Sequence, residues 1–348
     1  MHFELTDDQE QLRDLVAEFF TDRFPADRLR ATWEERIEKS GIWADVADLG
    51  VMGLSIPEEL GGLGVGYLET LLAIEGAAHA GFTEPLLETA GIAAPFLQAL
   101  RGPAAEEWLP SIASGEVVFS VADASGYASF GQEADAVLVP TADAVHLVTR
   151  GTAQWTPLRT QDPTRRLARV DVDALSAGSV VATGAGATAL IERHGRAATA
   201  SALVGLSRRI LEMTIAYVIQ REQFGQPLGA FQVVKHRLAD LGVKIEAARV
   251  LSWYAGYTLG EDRPDAELAS LTSKASANAA ARFANRNGLQ LHGGIGFTWE
   301  YDLHFWLMRG QAWESTYGRE PELRVAIGRS LLNDGIRIVT EDATAPAP

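Results

Sequence analysis

Chemistry in this chain concentrates between Tyr217 and Asp240, YVIQREQFGQPLGAFQVVKHRLAD. Arg221, Gln223 and Phe224 precede a Gly-Gln-Pro break at Gly225–Pro227, and Phe231, Gln232, Lys235 and His236 open the helix expected beyond it. A glycine-containing elbow between two helices can offer free backbone N–H groups and a guanidinium to one anion. A second glycine-rich stretch, Gln290-Leu-His-Gly-Gly-Ile-Gly-Phe-Thr-Trp-Glu300, follows about seventy residues after Arg221.

The spacing Arg-x-Gln-Phe-Gly-x-Pro-(x3)-Phe-Gln-(x3)-His, followed by Gln-x-His-Gly-Gly, resembles the acyl-CoA dehydrogenase family of flavoproteins. That resemblance implies desaturation of a CoA thioester. A carboxylate removes the α-proton while hydride leaves Cβ for the flavin of FAD. It also implies that one subunit seats the flavin ring while its neighbour holds the adenosine and diphosphate end. Carried onto this sequence, Arg221 would meet the diphosphate bidentately. Phe224 would pack on the adenosine end and Gln232 would hydrogen-bond near the adenine, with Gln223 and Phe231 among the cofactor-binding residues. Gln290, Gly293 and Gly294 would let backbone approach the diphosphate, because glycine has no Cβ to obstruct it.

The ring side matches less well. The family's flavin-lining Thr-Glu-Pro…Gly-Ser-Asp stretch is here Ser120-Val-Ala-Asp-Ala-Ser-Gly-Tyr127, with only Asp123 and Gly126 similar. Both places where the family keeps its base hold glycine: Gly318 after Tyr317, and Gly195 between His194 and Arg196. Glycine cannot transfer a proton. Glu314 and Glu320 are the nearest carboxylates in sequence and the candidates for a displaced base. Trp299 and Glu300 would line the flavin or simply pack. His236, His292 and His304 lack a metal-ligand spacing, and the serines lack a nucleophile elbow.

The positioning elements follow from periodicity. The first third reads as helical: a start at Thr6 with Gln9 as capping partner, then helices over 37–49, 67–80, 85–100 with Pro95 allowing a break, and 106–114. From Glu116 the texture turns to short strand candidates at 117–121, 136–139, 144–148, 168–172 and 180–182, separated by turn residues. After Thr188 the chain reads as helical again. Val234, Leu238, Leu241, Ile245, Ala248 and Leu251 form one bundle-facing stripe. The alanine-dense segment 269–284 suggests close helix packing or a subunit contact. The expected organisation is an N-terminal helical domain (1–115), a small β domain (116–187), a C-terminal four-helix bundle (188–340) and a frayed tail (341–348). It is mainly α with a small β domain, the acyl-CoA dehydrogenase fold.

Composition narrows the function classes. The 348 residues carry a net charge of −16, with mean hydropathy near zero and no cysteine. Disulfides and thiol chemistry are excluded, and a cytoplasmic location fits. No basic stripe serves nucleic acid, and no apolar run approaches the roughly 18 residues of a membrane span. The resemblance implies a non-catalytic subunit, similar to those of actinobacterial sterol-degrading enzymes. It would pair with a homologous catalytic subunit, as α2β2, around an acyl-CoA substrate, with an electron-transferring flavoprotein as acceptor. A self-sufficient homomer with a displaced base, and a flavin-free scaffold, remain open alternatives.

Overall fold

The computed structural model describes residues 4–35 and 41–334. The start of the helix expected from residue 37, and the tail 341–348, lie outside the described residues. Helix α1 (Asp7–Arg23) begins at a reciprocal cap: the Gln9 N–H donates to the Thr6 hydroxyl, and the Thr6 N–H donates to the Gln9 side chain. Then come α2 (Ala26–Glu35) and α3 (Trp43–Asp48), and α4 (Tyr67–Ala80), which ends at Gly81 in the left-handed conformation. The helix expected over 85–100, with a break allowed at Pro95, is divided into α5 (Leu86–Glu88), a π-helical turn (Thr89–Ala93) and α6 (Ala94–Leu100). Pro95 explains the division. It has no N–H to give the preceding turn, and its ring crowds the carbonyl of residue i−4. That residue is Gly91, whose carbonyl instead accepts from the Tyr67 hydroxyl at 2.8 Å. Helix α7 (Pro103–Ala113) closes the N-terminal helices.

The sheet region follows. Strands β1 (Phe119–Val121), β3 (Ala136–Pro140), β4 (Ala144–Thr149) and β7 (Val180–Thr183) form one sheet in the order β1-β3-β4-β7. Its β1–β3 pair is parallel and the other pairs are antiparallel. Strands β2 (Tyr127–Ala128), β5 (Trp155–Pro157) and β6 (Ala168–Val170) form a second, antiparallel sheet. Sequence reasoning missed β2 and β5, which at two and three residues are too short to show a period of two.

The helical bundle is built on α8 (Ala185–Gln220), 36 residues and about 54 Å long at 1.5 Å per residue. A short hairpin, β8 (Glu222–Gln223) and β9 (Gln226–Pro227), leads to α9 (Gln232–Gly260). Then come α10 (Ala266–His292), α11 (Leu303–Ser315) and α12 (Glu320–Asp334). Val234, Leu241, Ile245 and Ala248 of the expected α9 stripe are buried. So are Ala277, Ala280, Ala281 and Ala284 of α10, which pack inside this chain's own bundle.

One buried guanidinium ties the three regions together. Arg309 of α11 donates to Asp162 and Thr164 of the sheet region, and at 3.0 Å to the carbonyl of Phe82 after α4. Charge-assisted bonds of this kind in a low-dielectric interior hold geometry tightly.

Candidate functional site

The two glycine motifs meet at one end of the bundle. Tyr217, near the end of α8, stacks on His292, the last residue of α10, with centroids 4.5 Å apart and planes inclined by 22°. Beyond Tyr217, Arg221 ends α8 with its amide bonded to the Tyr217 carbonyl at 2.8 Å. Its side chain is exposed and forms no ion pair among the described residues. The hairpin tip is Phe224-Gly225, with φ of +55° and +83°. Two successive positive φ angles are what a tight two-residue hairpin turn requires. At Phe224 this costs about 1–2 kcal/mol that a glycine would avoid. The benefit is placement: Phe224 is 91% exposed and its ring meets Phe231 edge-on at 6.3 Å. Local strain that displays an aromatic side chain to solvent marks a recognition surface.

Gln223 turns its amide onto the neighbouring Glu222 carbonyl at 2.8 Å. Gln232, at the start of α9, is exposed. Gln290 borders a shallow cleft of about 310 Å³ shared with Val233, Arg237 and Arg286. Gly293 (φ +63°) and Gly294 both face open space, where an added Cβ would meet nothing within 4 Å among the described residues. These residues suit a phosphate-bearing ligand: an unpaired guanidinium, exposed amides, an aromatic ring and an open glycine loop. Trp299 turns away from this group. It stacks on His304 at 4.2 Å and meets Trp33 edge-on at 6.3 Å, and so packs against its own chain.

The two glycines at the expected base positions converge on one tyrosine. A Cβ on Gly195 would lie 2.4 Å from the Tyr317 ring, so the ring occupies the space a side chain there would need. A Cβ on Gly318 (φ +111°) would meet Leu323 at 2.8 Å. Burial pushes the Tyr317 phenol far above its usual range, so it remains protonated. The turn carrying it is held from α10. Lys274 donates to the Trp313 carbonyl at 3.0 Å, and Asn278 donates to the Glu314 and Gly318 carbonyls, both at 3.2 Å. Lys274 is fully buried, and desolvation brings its ammonium down to about 7.

Glu314 and Glu320, expected as displaced bases, point elsewhere. Both pair with Arg282, at 3.2 and 2.9 Å, and Glu320 also pairs with Arg324 at 2.7 Å. Neither borders the cavity beside Tyr317.

That cavity, of about 600 Å³, lies between α5, the sheet region, α8 and the α11–α12 turn. It contains a carboxyl that sequence reasoning missed. Glu88 borders it immediately before the π-helical turn, and desolvation raises its pKa against the pull of Arg165 and Arg309. The signal available was Pro95 seven residues on, which forces the π-turn; such turns gather at functional sites. Arg165 faces the same space. Its turn is fixed by Asp162, whose carboxylate accepts the Thr164 N–H at 3.1 Å and is itself held by Arg309. Asp123 uses its carboxylate on its own turn, accepting from Ser125 N–H at 2.8 Å and Tyr127 N–H at 3.1 Å. Gly126 (φ +83°) lets that turn press against the Val170 carbonyl.

Comparison with known proteins agrees with this arrangement. The model of the acyl-CoA dehydrogenase N-terminal domain matches residues 6–116, and that of the C-terminal domain matches 184–332. The acyl-CoA dehydrogenase IpdE2 of Mycobacterium tuberculosis is 33% identical over 310 residues, 87% of this chain and 91% of that one. The solved ChsE4-ChsE5 complex from Mycobacterium tuberculosis superposes with a TM-score of 0.87 at 25% identity, over 96% of this chain and 99% of the other. The Tcur3481-Tcur3483 steroid ACAD superposes at 0.82 with 26% identity, over 94% and 98%. The cofactor that goes with this fold is FAD. On the two domain matches, the IpdE2 relationship and the shared architecture, this chain belongs to the acyl-CoA dehydrogenase family.

Proposed function

We propose that this chain is the non-catalytic subunit of a heteromeric FAD-dependent acyl-CoA dehydrogenase acting on a steroid-derived CoA thioester. It holds the adenosine and diphosphate end of FAD through Arg221, Phe224, Gln232, Gln290 and the Gly293-Gly294 loop. A homologous partner, in an α2β2 assembly, supplies the proton-abstracting carboxylate and seats the flavin ring. FAD, when bound, would supply the acceptor for the β-hydride, and an electron-transferring flavoprotein would take its electrons.

The observation that carries this reading is the Tyr317 ring lying over Gly195, with Gly318 beside it. Neither position can move a proton, and a phenol held protonated is no base toward an α-carbon. The exposed apolar side chains near the FAD elbow support a covering partner. Ile219 is 62%, Val233 60% and Phe297 76% exposed. ChsE4-ChsE5, a complex of two different chains, and the steroid ACAD supply the analogy for assembly and substrate class.

A second reading has one observation in its favour. Glu88 borders the cavity with a raised pKa, as a displaced base in a self-sufficient homomer would. Substitution in the assembled enzyme separates the two readings. Glu88→Gln, Glu314→Gln and Glu320→Gln should each leave the desaturation rate within a few-fold. General-base loss removes roughly 10²–10⁴ in rate. A fall of that size in any one of them places the base in this chain.

A further inference from the structure

The cavity beside Tyr317 has no base in either expected place, yet it is not an inert gap. Its walls include Leu87, Val121, Leu167, Ile191, Leu271 and Leu323. At about 600 Å³ it falls in the size range of small-molecule sites. Four carboxylates and two guanidiniums border it. Most of that charge is accounted for within the chain. Arg196 pairs with Glu192 at 2.7 Å and with Glu267 at 2.8 Å. Asp123 is taken up by its own turn. Glu322 lies at the exposed edge, near Arg319 at 3.9 Å.

Arg165 is different. It forms no ion pair among the described residues, and its Nε is buried without a hydrogen-bond partner. Its one polar side-chain contact is from Nη2 to the Ser129 hydroxyl, at 3.4 Å. Asp162 and Glu88 act on it electrostatically, without ion-pair contact. A guanidinium taken out of water with no anion in contact is costly, so a cavity lined by one favours an anionic guest. Tyr317 lies within electrostatic reach of Arg165 and keeps its phenol proton to donate. Glu88 opposes an anion only while ionised, and burial raises its pKa against the pull of Arg165 and Arg309.

We infer that this cavity is a receptor for a carboxylate on an apolar body, with Arg165 as its cation and Tyr317 as a hydroxyl donor. This goes beyond the heteromeric reading and does not depend on it. The cavity of the chain without a base would bind an acid rather than transform a thioester.

Calorimetric titration of the purified full-length chain with octanoate and with octanamide tests this. Octanoate should bind once per chain, and octanamide about ten- to hundredfold more weakly, the range for losing a charged hydrogen bond. Arg165→Met should reduce octanoate to the amide's affinity, whereas Glu88→Gln should preserve or strengthen it. The wild-type comparison of acid with amide needs no variant to fold. Absent octanoate binding, equal affinity for acid and amide, or an Arg165→Met chain that binds octanoate unchanged would each overturn the inference. All three results leave the heteromer untouched, because no partner or FAD is present in the titration.

Discussion

At the residue scale, the account turns on side chains that the fold exposes at some cost. The Arg221 side chain forms no ion pair among the described residues, and Phe224 sits in a left-handed conformation at a hairpin tip. Arg221→Ala should therefore weaken FAD binding by the assembled enzyme while leaving the helices intact. A lost charge-assisted contact is worth about 1.5–3 kcal/mol, roughly ten- to hundredfold in affinity. Flavin titration of the mutant complex measures it; unchanged affinity would remove Arg221 from the diphosphate. Gly294→Val makes a matching prediction. Its Cβ meets nothing within 4 Å among the described residues, so folding should survive while bound flavin falls. Gly293 is a poorer choice, because its φ of +63° would strain any side chain whatever the cofactor does. Much of this surface was legible in the sequence, because glycine spacing and one arginine are local features. Glu88 was not legible. Its significance depends on a cavity formed by residues from widely separated stretches of chain, and no local pattern reports that. The reverse held for Glu314 and Glu320, close in sequence to the expected base but turned toward Arg282 by the α11–α12 geometry.

At the element scale, α8 connects both ends of the account. Its middle buries His194 and Gly195 against Tyr67 and Tyr317, and its end delivers Arg221 to the elbow. The His194 ring is buried, donates from Nδ1 to the Leu190 carbonyl at 3.0 Å, and has its pKa lowered by desolvation to about 4. In the unfolded chain the imidazole protonates below about 6.5. Between about 6.5 and 4 only the unfolded state takes up that proton, so His194 makes folding less favourable as pH falls through this window. The slope is at most about 1.4 kcal/mol per pH unit. Denaturant midpoints of wild type and His194→Phe, measured across the window, should converge or cross as pH falls, with wild type declining faster. Parallel curves would mean that the buried imidazole is charged already. The long helices were legible because periodicity accumulates over many turns. A break at Pro95 was legible too, but the π-helical form it takes and strands β2 and β5 were not, since tertiary contacts outweigh weak local preference in such short segments.

At the scale of the whole molecule, the chain is asymmetric. One end of its bundle presents a surface suited to the phosphate and adenosine of FAD, while its own cavity has a tyrosine where a base would stand. The proposed function expects two complementary chains per flavin, with the chain's apolar exposure near the elbow as the surface a partner would cover. Among the described residues no helix is long and apolar enough to cross a membrane, and no group of three or more acidic or histidine side chains could hold a metal ion. The measurement that bears most directly on this asymmetry is flavin content and acyl-CoA desaturation of the chain purified alone and co-purified with its homologous partner. The account predicts an inactive chain alone, and with the partner an active complex containing fewer flavins than chains. One flavin per chain with activity in the isolated protein would contradict it, as would a complex with the partner that remains free of flavin.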